Sequence, residues 1–144
     1  MREKGIVLIT ILLIVSAALL LSAGLARILI SDYGIINLSV GKAAAFYIAE
    51  AGIEKGKCEL AANPNFYTDL QFSGNEALWL LNSANGESCP IGGGGFKIVK
   101  LKDKEVLYSV GYLGGDMKKS RALSLMKIEY TFPPFRVISW QELK

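Results

Sequence analysis

An uninterrupted apolar run stands near the start of the chain. Between Ile6 and Ala26 the sequence has no charged residue, whereas Arg2 and Lys4 precede the run. As a helix, this segment reaches about 31 Å, which matches the hydrocarbon thickness of a bilayer. Basic residues before a span favour keeping that end in the cytoplasm. The run therefore predicts a single span with the N-terminus inside and the rest of the chain outside the cytoplasm.

Three interpretations of this run compete. A secretory signal peptide fits the basic start, and "SAGLA" offers a small-residue cleavage site after Ala26. A plain membrane anchor would stay uncut. In the third interpretation a short charged leader ends at Gly5 and is removed, so that Ile6 starts a mature chain that keeps its apolar helix.

The helical pattern continues well beyond the apolar run. No proline occurs before Pro64, and a set of apolar residues recurs at helical spacing, which predicts one apolar face. These residues are Phe46, Ala49, Ile53 and Leu60. A helix from Ile6 to about residue 61 would be roughly 80 Å long. A signal peptide that is cut off has no reason to be continuous with such a helix.

Glycines recur along this predicted helix, at positions 24, 34, 41, 52 and 56. Each lowers helix propensity by up to about 1 kcal/mol relative to alanine. They indicate either weak, bent points or places where a neighbouring helix approaches closely in apolar surroundings. Gly24, beside Ala23 and Ala26, suits close packing between helices, and Gly34 suits a bend where the chain leaves the lipid.

The stretch "AAAFYIAEAGIEKGK" is similar to the segment that ends the first helix of PilX-like minor pilins and related pseudopilins, where an A-x-x-x-A-E-A-G-I/L-E pattern occurs. The short leader, the apolar start and this stretch also lie at the mutual distances of the type IV pilin superfamily. The resemblance implies an α+β, pilin-like fold. In that fold a long N-terminal helix, membrane-embedded in its first half, packs on a small antiparallel β-meander.

The resemblance also implies processing and assembly. Prepilin peptidase would cut between Gly5 and Ile6, and the new N-terminus would be methylated. The apolar helix would leave inner-membrane lipid and pack among other pilins or pseudopilins, in a cell-surface or periplasmic filament. Assembly residues implied in this way are Leu8, Thr10, Leu12 and Gly24. The implied function is a structural minor pilin or pseudopilin of a type IV pilus or a type II secretion pseudopilus.

One position departs from the pattern of major pilins. They carry a glutamate five residues into the mature chain, where it is thought to neutralise a neighbour's N-terminal amine, and here that position is Thr10. Threonine cannot supply the charge, although its hydroxyl can bond back to a helix carbonyl. The difference favours a minor or initiating subunit over an abundant shaft subunit.

The rest of the chain predicts a small outer domain. Within a loop at 62–95, "NEALWLLNSANG" predicts a short helix, capped by Asn75, that packs on the long helix through Leu78, Trp79 and Leu81. "IGGGGFKI" lacks the GK[ST] of a phosphate-binding loop and predicts a flexible approach to a strand. Alternating apolar residues then predict a three-stranded meander over 96–132, which Pro133 and Pro134 end.

The predicted organisation is a leader at 1–5, a transmembrane and assembly half-helix at 6–30, and an extracytoplasmic domain at 31–144 with a tail from 133. Cys58 and Cys89 are candidates for a disulfide if this domain lies outside the cytoplasm, and two unpaired thiols are the alternative. Trp140 in the tail either covers an edge of the sheet or contacts another subunit.

Nothing in the composition indicates catalysis. The chain has no histidine, which removes the usual general base and the commonest metal ligand, and we expect no catalytic residue, cofactor or metal. A net charge of +3 with scattered basic residues does not indicate nucleic-acid binding. The alternative function is a single-span or secreted extracytoplasmic binding domain that forms no filament.

Overall fold

A single long helix begins the fold. In the computed structural model, which describes residues 2–66, 68, 72, 74–82, 87–102 and 104–143, helix α1 runs from Arg2 to Ala62. The backbone N–H of Asn63 still donates to the Glu59 carbonyl at 2.8 Å. Pro64 follows, and proline has neither the N–H nor the freedom of φ to continue a helix, so α1 ends there.

The chain divides into two compact units, Met1–Leu38 and Ser39–Lys144. In the first unit, the side chains of α1 are exposed from Ile6 to Leu38. In the second unit, the remaining part of α1 buries one stripe of small and apolar side chains. That stripe consists of Ala45, Ala49, Ile53 and Leu60. The apolar side chains of α1 are thus exposed in the first unit, whereas in the second unit one stripe of them is buried.

The second unit contains a five-stranded antiparallel sheet whose strands follow one another in chain order. The strands are β1 (Glu87–Ile91), β2 (Gly94–Lys100), β3 (Val106–Leu113), β4 (Ala122–Thr131) and β5 (Arg136–Leu143). A short 3-10 helix, Met117–Lys119, lies between β3 and β4. A long N-terminal helix on an antiparallel meander confirms the predicted α+β, pilin-like fold class.

The sheet has two more strands than the sequence predicted. β1 was not predicted, because Pro90 argues against a strand. β1 is nevertheless possible, since it is an edge strand, where the missing N–H of a proline is tolerated. The glycines that follow form the turn of a β1–β2 hairpin, with Gly92 at a φ of 55°. β5 follows the turn that contains Pro133 and Pro134, so these prolines end a strand but not the sheet.

Strand β3 runs beneath α1 in the opposite direction, and small residues bring the two backbones together. A Cβ added at Gly111 would lie 2.1 Å from the Ala45 carbonyl oxygen and 2.3 Å from the Ala49 nitrogen. One step along the strand, Ser109 Oγ would lie 2.2 Å from a Cβ added at Gly52. The next step brings Leu107 against Gly56. Gly52 and Gly56 therefore mark close approach to a strand of the same chain and not, as the sequence predicted, to a neighbouring helix.

Packing on both faces of the sheet follows from the alternation of the strands. On the α1 face, one cluster joins the helix to three strands: Ala49, Ile53, Leu60, Phe96, Ile98, Leu107, Met126, Ile128 and Tyr130. On the opposite face, the buried side chains are Val99, Leu101, Tyr108, Val110 and Leu125, together with Trp79 and Leu80. The central strands are therefore buried on both sides.

Helix α2 (Glu76–Asn82) covers that opposite face. Asn75 caps it as predicted, because its Oδ1 accepts from the Ala77 and Leu78 N–H groups at 2.9 and 3.2 Å. Its predicted packing on the long helix was wrong. Trp79 and Leu80 are buried against the sheet on the side away from α1, and Leu78 is exposed.

Replacing Gly52 with alanine tests the close approach. We expect Gly52→Ala to destabilise the second unit by about 1–3 kcal/mol, because the new methyl group overlaps Ser109 Oγ and presses on Phe96 at 3.1 Å. Gly34→Ala is the matched control in the same helix, since a Cβ there meets no atom within 4 Å. Denaturant unfolding of the full chain in detergent measures both. Equal midpoints for the two variants would contradict the close approach.

Ser109→Ala should rescue Gly52→Ala. The Ser109 hydroxyl is buried and has no hydrogen-bond partner among the described residues, so its removal alone should be neutral or stabilising. In the double variant the overlapping oxygen is absent. We therefore expect a favourable coupling of about 1 kcal/mol or more in a double-mutant cycle of unfolding free energies. Simple additivity would show that another contact limits the space at Gly52.

Candidate membrane-spanning segment

The exposed apolar part of α1 is the most unusual surface of the chain. Among the described residues, α1 is the one helix long and apolar enough to cross a membrane, and its apolar window is not buried. A soluble domain would normally cover such side chains. A helix of this kind near an N-terminus is compatible with a single membrane span and also with a signal sequence.

The apolar surface is longer than a bilayer requires. A span from Ile6 to Ala26 already fills the hydrocarbon thickness of about 30 Å. Large apolar side chains nevertheless stay exposed beyond it, namely Ile28, Leu29, Ile30, Tyr33, Ile35, Ile36, Leu38 and Val40. If the span starts at Ile6, this second stretch lies outside the hydrocarbon and needs another apolar surface to cover it.

The structure places the predicted processing and assembly residues on this one segment. Gly5 and Ile6 lie within α1, and Ile6 is exposed. Leu8 and Leu12 are each 68% exposed, and a Cβ added at Gly24 would meet no atom within 4 Å. Their surfaces are thus accessible for packing, and their roles in processing and assembly stay predictions.

Hydroxyl groups within the segment bond to its own backbone. Thr10 Oγ1 donates to the Ile6 carbonyl at 3.0 Å, which is the back-bonding expected from the sequence. Ser16 donates to the Leu13 carbonyl and Ser22 to the Ala18 carbonyl, at 2.9 and 2.8 Å. Each hydroxyl therefore has a partner without water, which lowers the cost of placing it in lipid.

The structure does not join the two cysteines. Cys58 and Cys89 are both free thiols. Cys58 follows Ile53 by five residues and Gly56 by two, or about 140° and 200° around the helix, so it is exposed on the face away from the sheet. Cys89 packs against the cluster between α1 and the sheet. A bond between them is not formed in this arrangement and stays a prediction.

Trp140 lies within an edge strand. The sequence placed it in a tail after the last strand, but β5 includes it, so Trp140 does not cover the edge from outside. Lys57 Nζ lies 5.6 Å from the centre of its ring, which connects α1 to β5. The ring is 40% exposed, and a contact with another subunit stays a prediction.

Sequence reasoning missed a charged cluster beneath α2. Lys127 Nζ lies 3.3 Å from Glu76 Oε1 and 3.2 Å from Glu129 Oε1, and the Tyr108 hydroxyl donates to Glu76 at 3.0 Å. Burial lowers the pKa of Lys127, but the hydrogen bonds to Glu129 and Glu76 outweigh it and raise that pKa. The two-residue spacing of Lys127 and Glu129 was the available signal for this cluster. It was not recognised, because the sequence predicted that α2 packs on the long helix and not on the sheet.

A second polar cluster lies near the end of α1. An open cavity of about 310 Å³ is lined there by Lys100, Lys102, Lys104, Glu105, Tyr130 and neighbouring apolar residues. The Lys100 ammonium donates to the carbonyls of Leu101 and Lys104. Lys104 lies over the Phe72 ring at 4.9 Å, and Lys102 also interacts within the protein. Lys100 therefore ties the β2–β3 turn together, which favours a structural role for this lysine.

No family model, curated protein or solved structure matches the chain. The comparisons therefore assign no family to it.

Tyrosine ionisation should weaken the second unit in alkali. Burial, and next the charge of Glu105, raise the pKa of Tyr130 to about 12 from the usual 10.0. The neutral form is favoured in the fold, so its contribution is complete below pH 10 and is lost as the pH rises towards 12.

We expect Tyr130→Phe to flatten the decrease in unfolding free energy between about pH 10 and 12, measured by denaturant titration. Burial and Glu76 also raise the pKa of Tyr108, so part of the alkaline loss should persist. Tyr47→Phe is the control, because Tyr47 is 68% exposed. An unchanged slope in Tyr130→Phe would contradict the assignment.

Proposed function

We propose that this chain is a minor pilin or pseudopilin: a structural subunit that waits in the inner membrane, is cut after Gly5 by prepilin peptidase, and packs its apolar helix among other subunits of a filament. The filament would be a type IV pilus or a type II secretion pseudopilus. The protein acts through assembly and performs no catalysis.

The observation that carries this proposal is the continuity of α1. One helix passes from an exposed apolar part into a part that buries Ala49 and Ile53 against the sheet. Cleavage after Ala26 would cut this helix in the middle of its exposed apolar surface. It would leave the large apolar side chains beyond Arg27 at a new chain end. Cleavage after Gly5 keeps the whole apolar surface as one assembly element.

The excess apolar length supports a filament over a plain anchor. An anchor needs only enough helix to cross the hydrocarbon, whereas the exposed apolar residues continue to Val40. Neighbouring helices in a bundle would cover this stretch. Moving from lipid into a bundle changes one apolar environment for another, so side-chain fit and small residues such as Gly24 must provide much of the free energy of assembly.

Thr10 supports a minor position in the filament. A glutamate at this position would carry a charge that is costly in an apolar environment unless it is paired. The hydroxyl of Thr10 is instead satisfied by its own helix at 3.0 Å. A subunit of this kind can enter a bundle without offering a counter-charge to its neighbour's N-terminal amine, which suits a starting, capping or occasional subunit.

Intact-mass and N-terminal peptide analysis tests the proposal. Chain recovered from the native membrane should begin at N-methylated Ile6, with Arg2 and Lys4 in the cytoplasm before cleavage, and the same species should occur in sheared filaments. Gly5→Leu should block processing. Ala26→Leu, the matched control at the competing site, should leave processing unchanged.

A chain that begins at Arg27, or one that still begins at Met1 in the wild type, would contradict the proposal. The first result would support a secreted domain and the second an anchored binding domain.

A further inference from the structure

Two opposite charges interrupt the exposed apolar part of α1. Between Ile6 and Gly41 the charged residues are Arg27 and Asp32. Both are exposed, and within the described part of the chain neither makes a salt bridge. A charge that becomes surrounded by lipid or by packed apolar helices is costly unless it is paired. An apolar partner that buries Arg27 or Asp32 would therefore need to supply a counter-charge.

Arg27 and Asp32 are poorly placed to pair with each other. They are five residues apart, which is about 7.5 Å along the axis and about 140° around it. Side chains on one helix meet when they are three or four residues apart. Each charge thus belongs to a different face of α1, and neither is placed to neutralise the other.

The two faces also differ in shape. The face centred on Arg27 carries four small residues, Ala23, Gly24, Ser31 and Gly34, together with the larger Leu20 and Ile30. The face centred on Asp32 carries large ones: Leu25, Ile28, Ile35 and Ile36. Cβ atoms added at Gly24 and Gly34 would meet no atom within 4 Å, so a large side chain of a partner can approach the helix at these two positions. Charge and shape are therefore complementary between one face and the other.

We propose that a second copy of this chain packs parallel to the first, with its Asp32 beside Arg27 of the first, so that the two copies are offset by about 7.5 Å along the helix axis. The contact joins unlike faces and is heterologous. The pair keeps one free Asp32 face and one free Arg27 face, which other subunits of the filament can contact. The inference rests on the proposed filament role and names the contact that sets the register between copies.

Cysteine cross-linking of the full chain in detergent tests the offset, because micelles leave the two helices free to slide. Cys58 and Cys89 are first replaced by serine and alanine. Leu20→Cys and Leu25→Cys chains are then mixed, since these positions lie two turns before Arg27 and Asp32 and become level at the proposed offset. We expect a disulfide-linked dimer in the mixture and little in either variant alone.

The matched control is a mixture of Ile14→Cys and Leu19→Cys chains, which are also level at the proposed offset. Ile14 lies about 140° around the helix from Arg27 and Leu19 about 140° from Asp32, so these positions face away from the contact and should not cross-link. Cross-linking of Leu20→Cys alone would indicate packing without an offset and would overturn the proposal. Equal cross-linking in the control mixture would also overturn it, because it would show contact without a preferred face.

Charge reversal tests the ion pair by energy transfer between labelled chains in the same detergent. Arg27→Asp and Asp32→Arg should each weaken self-association by about tenfold or more, since each places like charges together. Mixing these two variants should restore it, because every contact then joins unlike charges. Restoration also shows that both variants are folded.

Arg136→Asp is the control, with an exposed arginine outside α1, and should leave association unchanged. Association unaffected by either reversal, or not restored in the mixture, would overturn the ion pair. These readouts use the uncut chain, so they test the ion pair independently of processing. The ion pair can be absent although the chain is cut after Gly5, and it can be present although the chain is not cut there.

Discussion

The close approach of α1 to β3 is the contact on which the rest of the second unit depends. Gly52 and Gly56 on the helix, with Gly111 and Ser109 on the strand, remove the side chains that would otherwise separate the two backbones. A helix seated this closely brings its flanking side chains, such as Ile53 and Leu60, down to the neighbouring strands. The cost is low helix propensity at the glycines, which tertiary packing must offset.

Seating α1 on one face of the sheet leaves the other face to be covered separately. The central strands carry apolar residues on both sides, and β3 presents Tyr108 and Val110 away from α1. Helix α2 has seven residues, too few to be stable alone, and it is fixed by Trp79, Leu80 and the contacts of Glu76 with Lys127 and Tyr108. The small helix therefore depends on the sheet, whose position depends on α1.

Much of this fold could be predicted from the sequence, because its signals are local. The charge-free run, the absence of proline before Pro64, the Asn75 cap and the alternation in β3 all act within a few residues. Strand β1 could not be recognised, since Pro90 is tolerated only by virtue of an edge position that the sheet defines. Strand β5 was missed because Pro133 and Pro134 predict the end of the sheet, whereas they lie in the turn before β5. The partner of α2 was missed for the same reason: the sequence shows an apolar face but not which of two surfaces receives it.

The candidate membrane-spanning segment could also be predicted only in part from the sequence. Its location on α1 follows from composition alone, whereas the meaning of Arg27 and Asp32 depends on the phase of a continuous helix. In a helix broken at Gly24 or Gly34, the small residues beyond the break would no longer share a face with Arg27, and the match to the Asp32 face would be lost. Because α1 is unbroken, the two charges have a defined separation and belong to distinct faces. Thr10, satisfied within its own helix, gives no charge at the start of the segment. In the ion pair that we propose, the charges that set the register are Arg27 and Asp32. They lie about one membrane thickness further along α1 than Thr10, where the helix leaves the lipid.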